Sequence, residues 1–205
     1  MKFLELKNEL KDFPIFSLNE IRNMHPNFYR SRLNEWQDKG YIRKVIRGYY
    51  IFSDLQLSEE ILFKIANRIY LPSYISLESA LSYYHLIPES VYGITSISTR
   101  RTYSFKTSIG EFTFRTIKPQ LFFGYYLMNY KEQYLKMASI EKALLDYFYL
   151  HTDIDTKQDF DSLRINKEMF FEQMDEEKLQ NFLRKFNQKK LTGRINNFWS
   201  YVKNA

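Results

Sequence analysis

At 205 residues with 44% hydrophobic content, the chain is long enough for one or two packed domains and too apolar for a disordered protein. It has no cysteine, which excludes a disulfide framework, a thiolate nucleophile and a cysteine-based zinc site, and suits a reducing cytoplasm. The formal net charge of +6 agrees with an anionic partner without naming one, and the 18% aromatic content argues for ring-filled cores rather than exposed stacking platforms.

The opening stretch MKFLELKNELKDF mixes acids with apolar positions and does not read as a secretory signal. No segment reaches the ~20 apolar residues of a membrane span, so a cytoplasmic protein without membrane partners is expected. Phe3, Leu6, Leu10 and Phe13 fall at i, i+3, i+7 and i+10 and predict an amphipathic helix ended by Pro14. Ser17 and Glu20 have the spacing of a capping box, so a second helix starts at Leu18; Met24-His25-Pro26 interrupts it. A third helix is predicted from about Pro26 to Lys39, stopping at Gly40, which tolerates a left-handed C-cap.

On that third helix Tyr29, Leu33 and Trp36 recur at i, i+4 and i+7 and are expected to face a small core. The opposite face carries Asn27, Arg30, Ser31 and Asn34. Asparagine and arginine form two-pronged hydrogen bonds with base edges, and serine and arginine also serve phosphate oxygens. Tyr41 to Ile46 and Tyr49 to Phe52 predict two strands around an Arg47-Gly48 turn, with Arg43, Lys44 and Arg47 as wing cations. Residues 20–50 hold seven Lys/Arg against three acids, so most of the positive excess of the chain sits there. The order predicts a winged helix-turn-helix over residues 1–54, shaped for double-stranded DNA. The same unit is also compatible with a module that docks on a partner protein.

Residues 55–205 are expected to form a mixed α+β domain with a small antiparallel sheet and several helices. Ser58 caps a helix running to about Tyr70, and Ser76 is expected to cap LESALSYYHLI, which ends before Pro88. GITSIST, TYSFKTS and EFTFRTIK alternate as strands, with Ile109-Gly110 as a turn. ASIEKALLDYFYL predicts a helix buried along Ile140, Ala143, Leu144, Tyr147 and Leu150. Residues 151–161 are polar and acidic and are expected to be a loop. Helical periodicity then resumes through Leu179, Phe182, Leu183 and Phe186, breaks at Thr192-Gly193 and ends in a short helix. Arg184, Lys185, Lys189, Lys190 and Arg194 make this end basic.

No catalytic, cofactor or metal motif is evident. His25, His85 and His151 have no metal-ligand spacing. Asp153, Asp155, Asp159 and Asp161 lack the glycine and terminal glutamate of a calcium loop. Glu111, Arg115 and Lys118 have the residue types of a nuclease site, yet they alternate with Phe112, Phe114 and Ile117 as any half-exposed strand does.

The segment from Tyr74-Ile75-Ser76-Leu77-Glu78-Ser79-Ala80-Leu81 to His85-Leu86-Ile87-Pro88, then Leu121-Phe122-Phe123-Gly124, then Ala138-Ser139-Ile140-Glu141-Lys142-Ala143-Leu144-Leu145-Asp146, resembles the AbiEi family of type IV antitoxins. With the winged N-terminus, the resemblance extends to about Leu150. It implies a non-enzymatic transcriptional regulator that represses its own operon by binding inverted repeats in its promoter. It also implies an antitoxin for phage defence that counteracts a nucleotidyltransferase-like toxin, with no stable complex required. The DNA-reading role falls on Asn27, Arg30, Ser31 and Asn34 and on Arg43, Lys44 and Arg47; the Ser76 to Leu86 stretch is expected to be structural.

Overall fold

The computed structural model describes residues 1–88, 93–130 and 133–204 and shows a mixed α+β chain with two sheets. In chain order the first unit contains α1 (Phe3–Glu9), β1 (Phe16–Ser17), α2 (Leu18–Met24), α3 (Ser31–Asp38), β2 (Ile42–Ile46) and β3 (Tyr49–Phe52). The strands form a small antiparallel sheet in the order β1-β3-β2. The capping box of α2 is present: Ser17 Oγ accepts the Glu20 N–H at 3.3 Å, and Glu20 accepts the Ser17 N–H at 2.8 Å. Gly40, at φ +70°, closes α3 in a Schellman motif, with the Tyr41 N–H on the Trp36 carbonyl and the Gly40 N–H on the Gln37 carbonyl, both at 2.9 Å.

The third helix is shorter than its periodicity predicts. Residues 26–30 form an irregular turn, and Phe28 turns inward against Trp36 with ring centroids 5.6 Å apart. Tyr29 points out and is 75% exposed. The i+4 and i+7 spacing from Tyr29 fits a helix that starts at Pro26. Once the Phe28 N–H closes a turn on the His25 carbonyl at 2.9 Å, the ring without a hydroxyl takes the core position.

The small sheet has two covered faces. Phe16, Ile42, Tyr50 and Phe52 pack with Leu6, Ile21, Leu33 and Trp36 from the helices. Ile15, Val45 and Ile51 belong instead to the larger core of the chain. The first unit is therefore docked through its sheet, because a three-stranded sheet has apolar side chains on both faces to remove from water.

The second part contains α4 (Glu59–Ile69), β4 (Ser73–Ile75), α5 (Leu77–Tyr83), β5 (Gly93–Ser98), β6 (Tyr103–Thr107), β7 (Gly110–Thr116), β8 (Tyr125–Tyr130), β9 (Gln133–Ala138), α6 (Ile140–Leu150), α7 (Lys157–Ser162), α8 (Lys167–Gln173), α9 (Glu176–Phe186) and α10 (Lys189–Asn204). Its sheet has six strands in the order β6-β7-β5-β4-β9-β8. The expected small antiparallel sheet is thus larger and mixed: β5 pairs with β7 in parallel, as does β4 with β9. The β6–β7 hairpin lies with β7 inside and β6 at the edge, a placement that strand alternation cannot specify.

Three further expectations are corrected. The helix after Ser76 ends at Tyr83, because His85 adopts φ +57° and the Leu86 N–H returns to the Leu81 carbonyl at 2.9 Å, a second Schellman closure. Within 151–161, Thr156 and Asp159 form a capping box that starts α7. Finally, α10 runs unbroken through Thr192-Gly193, since burial of Leu191, Ile195, Phe198 and Val202 outweighs the ~1 kcal/mol helix penalty of one glycine. No helix among the described residues is long and apolar enough to cross a membrane.

Candidate nucleic-acid interface

Asn27, Arg30, Ser31 and Asn34 are all exposed. Ser31 opens α3 and Asn34 lies one turn further on, whereas Arg30 is the N-cap and Asn27 sits in the preceding turn. The group thus combines a helix start with the loop leading into it. Tyr29 stands among these residues as an exposed ring that the sequence assigned to the core. Arg22 is exposed, and its Nε donates to the Phe28 carbonyl at 3.3 Å and holds the turn. His25 meets Glu9 at 2.7 Å, tying the end of α2 to α1.

The three cations expected on a wing separate. Arg47 and Gly48 form the hairpin turn, with Gly48 at φ +89°, and Arg47 is exposed. Lys44 is exposed and pairs across the ladder with Tyr50, so it shares the sheet face that carries the helices. Arg43 pairs with Ile51 on the face turned to the larger core, is half-buried, and its Nε has no hydrogen-bond partner among the described residues. Lys44 therefore shares the face that carries the helices, Arg47 stands exposed at the hairpin turn, and Arg43 lies on the opposite face.

Acids temper this surface. Glu35, on α3, bonds Lys39 at 2.6 Å, and the bond and charge of Lys39 hold its carboxyl below the usual range. Arg32 donates to the Met1 carbonyl at 3.2 Å. Glu20 does double duty, capping α2 and pairing with Arg68 on α4, so the second helix of the unit is pinned to the second part of the chain.

A second concentration of chemistry lies deep in the larger core and was absent from the sequence reading. α6 is buried almost all round, including Glu141, Lys142 and Asp146. Lys142 pairs with Asp146 one turn later, and Lys142 Nζ also donates to the Tyr74 hydroxyl at 2.8 Å. The Tyr74 and Ser76 hydroxyls both donate to Asp146 Oδ2 at 2.9 Å. Ser76 thus serves Asp146 rather than capping α5 with its side chain. Phe123 and Phe186 place their rings 5.2 and 5.0 Å from the ammonium. Burial pushes the Lys142 ammonium down and the Asp146 carboxyl up, and the attraction between them opposes both shifts. Burial likewise raises the Tyr74 phenol. The available signal was a Lys and an Asp at i, i+4 on a helix otherwise almost entirely apolar. With no solvent access, the cluster is a polar pin joining β4, α5 and α6.

The other candidates stay apart. His85 closes α5, and His151 Nδ1 lies 3.0 Å from the Tyr147 carbonyl. Asp159 is occupied by the backbone N–H groups of Asp155 and Thr156, and Asp161 accepts from Tyr201. Glu111 and Arg115 lie on β7 between β6 and β5, with Glu111 opposite Lys106 and Arg115 opposite Ile97, and Lys118 follows the strand. Arg194 points inward and donates to the carbonyls of Phe148 and His151 at 2.7 Å, closing the end of α6. Among the described residues, no group of three or more His, Asp and Glu could hold a metal ion.

Compared with known proteins, the chain matches no family model and no curated sequence. The resemblance to AbiEi antitoxins therefore rests on the residues quoted for it.

Proposed function

We propose that residues 1–54 form a winged helix-turn-helix that binds double-stranded DNA at inverted repeats in the chain's own promoter. The chain acts there as an autorepressor. The observation that carries this reading is the exposed run Asn27, Arg30, Ser31 and Asn34 at the start of α3, with the exposed Lys44 and Arg47 on the adjoining hairpin. A helix start supplies base-edge and phosphate contacts, and the hairpin cations add salt-dependent backbone contacts.

The test is a gel-shift titration on the DNA upstream of the gene. Arg30→Ala with Asn34→Ala is expected to lose sequence preference, at about 1 to 3 kcal/mol for each base contact removed. Equal affinity of wild type and double variant for that DNA refutes the assignment of the reading surface.

The antitoxin role rests on the resemblance alone. In this reading the second part of the chain counteracts a nucleotidyltransferase-like toxin encoded beside it, without a stable complex. Co-expression with that neighbour restores growth if the reading holds. Continued growth arrest, with the antitoxin confirmed as soluble, overturns it.

A further inference from the structure

A cleft of about 430 Å³ opens where the first unit meets the outer strands of the large sheet. Phe13, Leu71, Leu127 and Tyr134 form its apolar walls, and Leu127 and Tyr134 are 60% and 67% exposed. Large apolar side chains left in water around one concavity are the ordinary make-up of a small-molecule site, and the volume falls in the range of about 300 to 1,000 Å³ typical of such sites.

The polar groups of the cleft give it a sign. Asn67, on α4, accepts the Lys136 backbone N–H through Oδ1 at 2.5 Å, which fixes the orientation of its amide. Its Nδ2 is buried and, among the described residues, has no hydrogen-bond partner. The Lys136 side chain lines the same cleft from β9, its ammonium 5.7 Å from the Tyr125 ring. Among the described residues that line the cleft the one carboxylate is Glu20, which is committed to Arg68 and to the cap of α2. What the cleft offers a guest is therefore the positive charge of Lys136 beside apolar walls.

We infer that this cleft binds a small amphipathic monoanion: an apolar body about the size of a naphthalene or a ten-carbon chain, bearing one acidic head group held by Lys136. The inference is independent of the DNA-binding reading.

The test uses the full chain and anilinonaphthalene sulfonate, whose fluorescence rises on entering an apolar site. The expected result is saturable binding at one site per chain. Leu127→Glu and Tyr134→Glu, each placing an anion on an exposed wall position, are expected to weaken it by about tenfold or more. Circular dichroism and thermal unfolding confirm that each variant is folded, and either variant suffices. Lys136→Ala is expected to weaken the sulfonate while leaving the neutral N-phenylnaphthylamine unchanged. Decanoate and 4-phenylbutyrate separate two sources of the same chemistry: displacement by the first assigns acyl-chain acids, and by the second aromatic acids. Wild-type sulfonate binding by the folded glutamate variants, unchanged binding by Lys136→Ala, or displacement by neither acid overturns the inference.

Discussion

Replacing Asp146 with asparagine keeps the shape of the side chain and removes one charge, which makes it a sharp probe of the buried pin. Tyr74 and Ser76 both donate to Oδ2, so an amide oxygen in that position continues to accept both. The amide nitrogen then occupies the position of Oδ1 and faces Lys142 Nζ, donor against donor. The conflict is relieved if Lys142 enters the folded state as a neutral amine, whose lone pair accepts from the amide.

Removing a proton from a lysine of ordinary pKa ~10.4 at pH 7 costs about 4.6 kcal/mol, at 1.36 kcal/mol per unit. That value caps the loss, and it agrees with the ~3 to 5 kcal/mol typical of breaking a buried ion pair. Asp146→Asn is thus expected to cost about 3 to 5 kcal/mol in urea unfolding at pH 7, a large part of the ~5 to 15 kcal/mol that holds most domains together.

The sign of the pH dependence follows from proton counting. In the variant the folded state has a depressed Lys142 pKa and binds one proton fewer than the unfolded state, so its stability rises with pH. The gap to wild type should close by about 1.36 kcal/mol per unit between pH 7 and 9. A gap under about 1 kcal/mol, or one that does not shrink with pH, means that Lys142 is solvated and refutes the description of the pin.

Other expectations concern single positions. Lys44→Ala should weaken binding to all DNA sequences alike and lower the salt slope by about 1, whereas Arg43→Ala, on the covered face of the small sheet, should leave that slope unchanged; salt titrations of both separate the two cations. Gly124→Ala meets a backbone at φ +75° and places its Cβ 2.9 Å from Phe182 Cε2 and 3.1 Å from Lys142 Cγ, so a loss of about 2 to 4 kcal/mol is expected in thermal or urea unfolding. Unchanged stability there would mean that α9 and α6 shift freely. Ser17→Ala should cost about 1 kcal/mol by removing the acceptor of the Glu20 N–H, measurable in the same unfolding assay.

Local features were legible in the amino-acid order because their causes are local. The Ser17/Glu20 box, the Gly40 closure, the Arg47-Gly48 turn and the start of α4 after Ser58 each depend on residues within one turn of chain, and the structure has all four. The exposed positions of Asn27, Arg30, Ser31 and Asn34 followed from residue polarity. Three other features depended on partners far along the chain. Phe28 displaced Tyr29 because Trp36 was there to receive it. Arg43 parted from Lys44 and Arg47 because Ile51 lies opposite it and the larger core covers that face. Lys142 and Asp146 became an internal pin because Tyr74 and Ser76, about seventy residues earlier, supply the remaining hydrogen bonds. A sequence records which groups need burial or a partner, and nearby residues answer that need visibly. Which face of a strand is covered, and which distant hydroxyl completes a buried charge, is decided only when the sheet assembles, because β pairing joins segments whose separation along the chain carries no local signal.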